Sequence, residues 1–142
     1  FGQLVTIFDI PSSVLALFQG LVEYPWLVML LIGVFYIIVG MWLESIPQII
    51  IFTAVFFPLI TSLGVDPVVF GIFTVMTCEI GFLTPPIGVN LFVAARISKI
   101  TIEEISVGVL PLLIPYVLMI FLLVFFSDWV TYLPNLVYGV PR

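Results

Sequence analysis

Residues 81 to 90 read Gly-Phe-Leu-Thr-Pro-Pro-Ile-Gly-Val-Asn and lie inside a long apolar stretch. Pro85 and Pro86 remove two amide donors in succession and clash with preceding carbonyls. The backbone oxygens around Gly81, Phe82 and Leu83 are therefore expected to lose their helical partners. Bare carbonyls beside the Thr84 hydroxyl form an oxygen-only donor set that suits a hard cation such as Na⁺, and the C-terminal end of a helix adds about half a negative charge. Beyond the break, Gly88 and Asn90 open a new helical segment whose free N–H groups and positive dipole end favour an anionic group such as a carboxylate. The same residues also fit a plainer reading, in which the prolines only kink the helix and Asn90 only caps it.

A second apolar stretch is divided at Gly40-Met-Trp-Leu-Glu-Ser-Ile-Pro47. Here Glu44 stands beside Ser45, and a buried carboxylate must pair, bind a cation or take up a proton, whereas a loop glutamate simply faces water. Glu79 lies five residues before Thr84 on an otherwise apolar segment. Ionisable residues at membrane depth usually mark an ion pathway or a buried pair, and the sequence shows no partner for this one. Broken membrane helices are tolerated where they line a cavity or a bound solute, so two facing breaks imply a solute site. Ser45, Gly88 and Asn90 are the candidate contacts to that solute. The many phenylalanines read as packing and lipid contact.

Composition decides where these breaks sit. The chain is 63% hydrophobic and only 8% charged, far from the make-up of a soluble domain, and its apolar runs match the roughly 30 Å hydrocarbon layer. Both faces of each long run are apolar, which excludes the alternating pattern of an outer-membrane β-barrel. With no histidine and a single cysteine, Cys78, neither a zinc site nor a His-based catalytic dyad nor a disulfide framework can be built from this chain. Arg96, Lys99 and Arg142 are the whole basic inventory against a net charge of −5, so nucleic-acid binding is excluded. The chain begins at Phe1 with no basic n-region before its first apolar stretch, so it offers no signal peptide to read, and it reads as a fragment of a longer protein.

The elements that must position the breaks follow from punctuation. Residues 1–25 read as the tail of a preceding helix, a turn at Asp9-Ile-Pro11, and an amphipathic interfacial helix from Ser13 to Glu23. Residues 26–63 read as two apolar arms, Trp26 to Leu43 and Ile46 to Leu63, with a tip at 40–47. Each arm is about long enough to cross alone, but the joint carries few polar residues, which favours a re-entrant hairpin over two full spans. Gly64-Val-Asp66-Pro67 is a turn. Residues 64–99 read as a broken transmembrane helix with its break at 84–90, reaching the cytoplasmic side at Arg96 and Lys99. Residues 100–142 read as a surface arm begun by a Thr101/Glu104 capping box, then a last span from Ile105 to Phe126 carrying Pro111 and Pro115.

The wording and spacing of both breaks, together with Leu63-Gly-Val-Asp-Pro67, Phe70-Gly71, Lys99-Ile-Thr-Ile-Glu-Glu104 and Tyr132-Leu-Pro-Asn135, resemble the large membrane subunit of tripartite ATP-independent periplasmic (TRAP) transporters. The resemblance runs through nearly the whole chain. It implies an all-α polytopic membrane protein of the bacterial inner membrane, the C-terminal half of an elevator-type secondary transporter built of inverted repeats. It further implies import of an organic acid, C4-dicarboxylate-like, coupled to Na⁺ and no other cofactor, with a small membrane permease subunit and a periplasmic substrate-binding protein as partners. Gly40, Gly81, Thr84 and Pro86 are the positions it carries over to the Na⁺ site, through backbone or hydroxyl oxygens. Thr77 departs from the family, which commonly has asparagine there. Another ion-coupled elevator carrier of carboxylates is the alternative; an intramembrane enzyme using Glu44 and Glu79, or a scaffold, would leave the two breaks unexplained.

Overall fold

The structure, a computed structural model, describes residues 10–138. The expected helix tail before Asp9, Asp9 itself and Arg142 lie outside the described residues. Among the described residues the regular structure is helical: α1 (Ile10–Phe18) with a 3₁₀ turn at Gln19–Leu21, α2 (Pro25–Gly40), α3 (Ser45–Ser62), α4 (Pro67–Phe82), α5 (Val89–Ser98), α6 (Ile102–Phe125) and α7 (Ser127–Tyr138).

Local chemistry sets the boundaries. Pro25 and Pro67 occupy first helical positions, where a missing N–H costs nothing. Asp66 caps α4 by accepting a 2.7 Å hydrogen bond from the Val68 amide. The end of α3 is a Schellman motif: Gly64 takes a positive φ of 75°, its N–H reaches Thr61 O, and the Val65 N–H reaches Ile60 O. The Thr101 hydroxyl accepts from the Glu104 amide while the Glu104 carboxylate accepts from the Thr101 amide, a complete capping box for α6.

Four sequence expectations change. The first amphipathic helix starts earlier and is shorter, because the chain tightens into a 3₁₀ turn after Phe18. The first hairpin arm ends at Gly40 rather than Leu43, since Met41 to Leu43 are apolar but fold as a turn. The surface arm and last span form one helix, α6, through Pro111 and Pro115. Beyond Phe126 a further helix, α7, forms where only interfacial anchors were expected, and it tolerates an internal Pro134.

Helix α4 is the hub: it packs most closely along α2 and also meets α3, α5, α6 and α7. The core between them holds Ile32, Tyr36, Leu59, Ile60, Phe70 and Phe73, all essentially inaccessible to solvent. Phe35 meets Phe52 and Phe56 edge-on at centroid distances of 4.9 and 5.3 Å, an arrangement that suits aromatic quadrupoles. The outer faces are apolar as well, with Val107, Leu112, Ile114 and Met119 of α6 exposed, as hydrocarbon-facing or further-protein-facing surface requires. Helices α3 and α6 are long and apolar enough to cross a membrane. Helices α2 and α4 have 16 residues each, about 24 Å of rise, short of the hydrocarbon thickness.

Candidate functional site

The two broken segments meet. Helices α2 and α4 run in contact and both end within a turn of their closest approach. At Gly33 the backbone of α2 leaves room for the Phe73 ring, which a Cβ would meet at 2.7 Å. At Gly81 the contact is backbone on backbone: a Cβ there would lie 2.7 Å from Ile37 O and 2.8 Å from Gly40 Cα. Glycine is required at this point because of the close approach of two main chains. The C-terminal ends of two helices, each with a negative dipole end, thus share one small volume.

Ser45, the first residue of α3, reaches across the tip to α4: its Oγ donates to Glu79 Oε1 at 3.3 Å. Glu79, which the sequence left without a partner, therefore has one. Glu44 occupies the N-cap position of α3 without a side-chain capping bond and is exposed, so it is Ser45 that approaches Glu79.

At the second break the backbone turns over more tightly than the proline pair suggested. The carbonyl of Gly81 is not bare, because it accepts from the Thr84 amide at 3.1 Å. Among the described residues the Phe82 and Leu83 carbonyls receive no backbone hydrogen bond. The Thr84 hydroxyl donates back to Ile80 O at 2.6 Å, which uses its proton and leaves its oxygen lone pairs open to a cation. Gly88 takes a left-handed φ of 48° and is the N-cap of α5; a Cβ on it would stand 3.1 Å from Thr84 O, so the two sides of the break are in contact. Asn90 is not a cap. It is the second residue of α5 and is exposed, as is Pro86.

The structure thus gathers Gly40, Gly81, Ser45 and Glu79 at one crossing, with Thr84 and Gly88 continuing from it along the second break. Glu44, Pro86 and Asn90 stand at its exposed margin. Thr77 is buried, and its hydroxyl is spent on its own helix, donating to Phe73 O at 2.9 Å and Thr74 O at 3.0 Å.

Gln48, which is not among the candidates named from the sequence, belongs here as well. Gln48, in the first turns of α3, is fully buried, and its Nε2 donates to the Tyr36 carbonyl of α2. Its Oε1 has no hydrogen-bond partner. The signal in the sequence was a lone amide on an apolar arm, one helical turn after Glu44; its partner lies 12 residues back on another helix. Nearby, Tyr36 Oη and Thr53 Oγ1 lie 3.4 Å apart, and Thr74 Oγ1 is buried without a hydrogen-bond partner.

Residues 1–129 match the family model described as "Tripartite ATP-independent periplasmic transporter, DctM component". The chain is similar to the isethionate TRAP transporter permease protein DctMQ of Oleidesulfovibrio alaskensis, 41% identical over 80% of this chain and 18% of that protein. It is similar to the 2,3-diketo-L-gulonate TRAP transporter large permease protein YiaN of Escherichia coli, 38% identical over 88% of this chain and 29% of that protein. It is also similar to the C4-dicarboxylate TRAP transporter large permease protein DctM of Pseudomonas aeruginosa, 33% identical over the whole of this chain and 32% of that protein. The chain therefore spans less than a third of the length of these relatives.

Proposed function

The chain belongs to the DctM component family of tripartite ATP-independent periplasmic transporters, and from that membership we propose that it supplies part of a large permease subunit importing an organic anion with Na⁺. The observation that carries the reading is the Gly40–Gly81 crossing, where two interrupted apolar helices end in backbone contact. Interrupted helices of this kind place solute and ion sites near the bilayer midplane, with C-terminal ends toward the cation and N-terminal ends toward the anion. The division fits this chain: α2 and α4 bring carbonyl ends to the crossing, and α5 starts with its N–H groups at Gly88.

In this reading α2 and α3 form a re-entrant hairpin, supported by the shortness of α2 and by a four-residue joint whose one strongly exposed charge is Glu44. Residues of the Thr84 break and the carbonyls beside it hold Na⁺, Ser45, Gly88 and Asn90 face the substrate, and the whole moves as an elevator against a scaffold. The named substrates of the relatives are a sulfonate, a sugar acid and C4-dicarboxylates. A small organic anion is their shared chemistry, and a C4-dicarboxylate-like acid is the substrate we assign. A small permease subunit in the inner membrane and a periplasmic binding protein complete the system. The relatives are permeases by name, and the contact the structure gives Glu79 is the Ser45 hydroxyl.

The test is uptake of a C4-dicarboxylate into proteoliposomes by the full-length permease, with Na⁺ or K⁺ outside and the binding protein present or omitted. Uptake needing both Na⁺ and the binding protein is the expected result. Uptake indifferent to Na⁺ overturns the coupling, and uptake without the binding protein overturns the tripartite reading.

A further inference from the structure

Helices α2 and α3 are tied to each other and to α4 by different means. Between α2 and α3, Gln48 Nε2 donates to the Tyr36 carbonyl, and Tyr36 Oη lies 3.4 Å from Thr53 Oγ1. At the tip the polar tie runs outward: the Ser45 hydroxyl of α3 donates to Glu79 Oε1 of α4 at 3.3 Å, across 34 positions of sequence. Both residues are half-buried.

The start of α3 explains why a carboxylate stands there. Its N-cap residue, Glu44, makes no side-chain capping bond and is exposed. The positive end of an 18-residue helix is therefore left without a side-chain cap from its own segment. Glu79 brings a negative group to that end from another helix and accepts from the first residue of α3. A carboxylate is a stronger acceptor than a neutral oxygen, and a partly desolvated one needs such a donor. Arg96 and Lys99, in and after the last turn of α5, stand at the opposite end of that helix from the break.

The place of Glu79 on α4 gives the tie its reach. Its carbonyl accepts from the Leu83 amide at 3.2 Å, and the next carbonyl, Ile80 O, accepts from the Thr84 hydroxyl at 2.6 Å. One turn of α4 thus carries the anchor for the tip on a side chain and the start of the second break on its backbone. A bond of 3.3 Å between half-buried groups is long for a hydroxyl donor, so this contact can be made and broken.

We propose that Glu79 is a positioning residue for transport: through Ser45 it holds the tip of the hairpin on the last turns of α4, and so sets how tightly the solute is held at the two breaks. The inference rests on the transport reading above and deepens it, by giving Glu79 a task other than contact with the solute or the ion. Ser45 commits its proton to Glu79 and keeps its oxygen lone pairs and backbone N–H for the solute.

The experiment is a double-mutant cycle on the full-length permease with its small subunit, in proteoliposomes with Na⁺ outside, the binding protein in excess and a C4-dicarboxylate as the probe. Half-saturation, maximal rate and thermal midpoint are measured for the parent, Ser45→Ala, Glu79→Ala, Glu79→Gln and the paired variants. Each alanine variant is expected to raise the half-saturating dicarboxylate concentration about threefold to tenfold, more than it lowers the maximal rate. Glu79→Gln keeps an acceptor oxygen and is expected to stay within about threefold of the parent. Ser45→Ala with Glu79→Ala is expected to be no worse than the poorer single variant, because both remove one contact. A pair whose effect is the product of the two singles overturns the inference, as does a Ser45→Ala protein with the parent's half-saturation. Variants that lose thermal midpoint and maximal rate without a selective rise in half-saturation also overturn it, leaving the tie a matter of folding alone. Where Glu79→Ala does not fold, Ser45→Ala with Glu79→Gln is expected to match Ser45→Ala, and a clearly worse pair overturns the inference. A parent that takes up no dicarboxylate overturns the transport reading and this role with it, whereas additive variants of an active parent overturn this role alone.

Discussion

Gly81→Ala is the sharpest perturbation of the crossing. The added Cβ would stand 2.7 Å from Ile37 O, 2.8 Å from Gly40 Cα and 3.0 Å from Gly40 C, all main-chain atoms that cannot swing aside. Restoring an ordinary carbon contact requires α2 and α4 to separate by about 0.7 Å at this point. Overpacking of a close-packed interface costs roughly 1–3 kcal/mol, and a rigid backbone neighbour places this case at the upper end. Alanine recovers up to about 1 kcal/mol of helix propensity, which leaves a net loss of about 2 kcal/mol. Gly40→Ala meets its neighbours at 3.2 Å or more and needs only a few tenths of an ångström, so overpacking and propensity roughly cancel in its stability. Thermal unfolding of the two full-length variants beside the parent reads the difference: Gly81→Ala melts several degrees lower and Gly40→Ala stays near the parent. Equal midpoints for Gly81→Ala and parent, with uptake intact, would refute the backbone contact and with it the convergence of the two breaks.

Three further outcomes follow from local geometry. Asp66→Ala removes the acceptor for the Val68 amide and should lower stability by about 1 kcal/mol without changing the Na⁺ dependence of uptake, as thermal unfolding and uptake together will show. Gly88→Ala forces a left-handed residue to carry a Cβ 2.8 Å from Leu91 Cδ1, so a loss of at least about 1–2 kcal/mol is expected, with the start of α5 disturbed and substrate half-saturation raised. Asn90→Ala touches neither cap nor core; its midpoint should stay within about 0.5 kcal/mol of the parent, so any rise in substrate half-saturation reports a substrate contact directly.

The features that were legible in the sequence are those written locally. The Thr101/Glu104 box, the Asp66-Pro67 start and the Gly64 stop each depend on residues within five positions of one another, and each forms as expected. The two breaks were legible for the same reason, since Pro85-Pro86 and Gly40 to Pro47 cannot continue a regular helix. What the sequence hid depends on contacts across the fold. The end of α2 at Gly40 was blurred because Met41, Trp42 and Leu43 are as apolar as the helix before them. Helix α7 was missed because Pro134 reads as a breaker, while no strong stop signal separates it from α6. The proline pair predicts a bare Gly81 carbonyl if helical bonds alone are considered, but the Thr84 amide reaches it through a turn. The burial of Gln48 is hidden because it depends on Tyr36, which no period in the sequence connects to it.

The central claim is that the interrupted helices hold the coupling ion. The measurement that reaches it most directly is equilibrium binding of radioactive Na⁺ to the purified full-length permease, comparing the parent with Thr84→Ala. The account predicts saturable Na⁺ binding that K⁺ does not displace, and a clearly weaker affinity once the Thr84 hydroxyl is gone. Absence of saturable binding, or an affinity unchanged by Thr84→Ala, would contradict it.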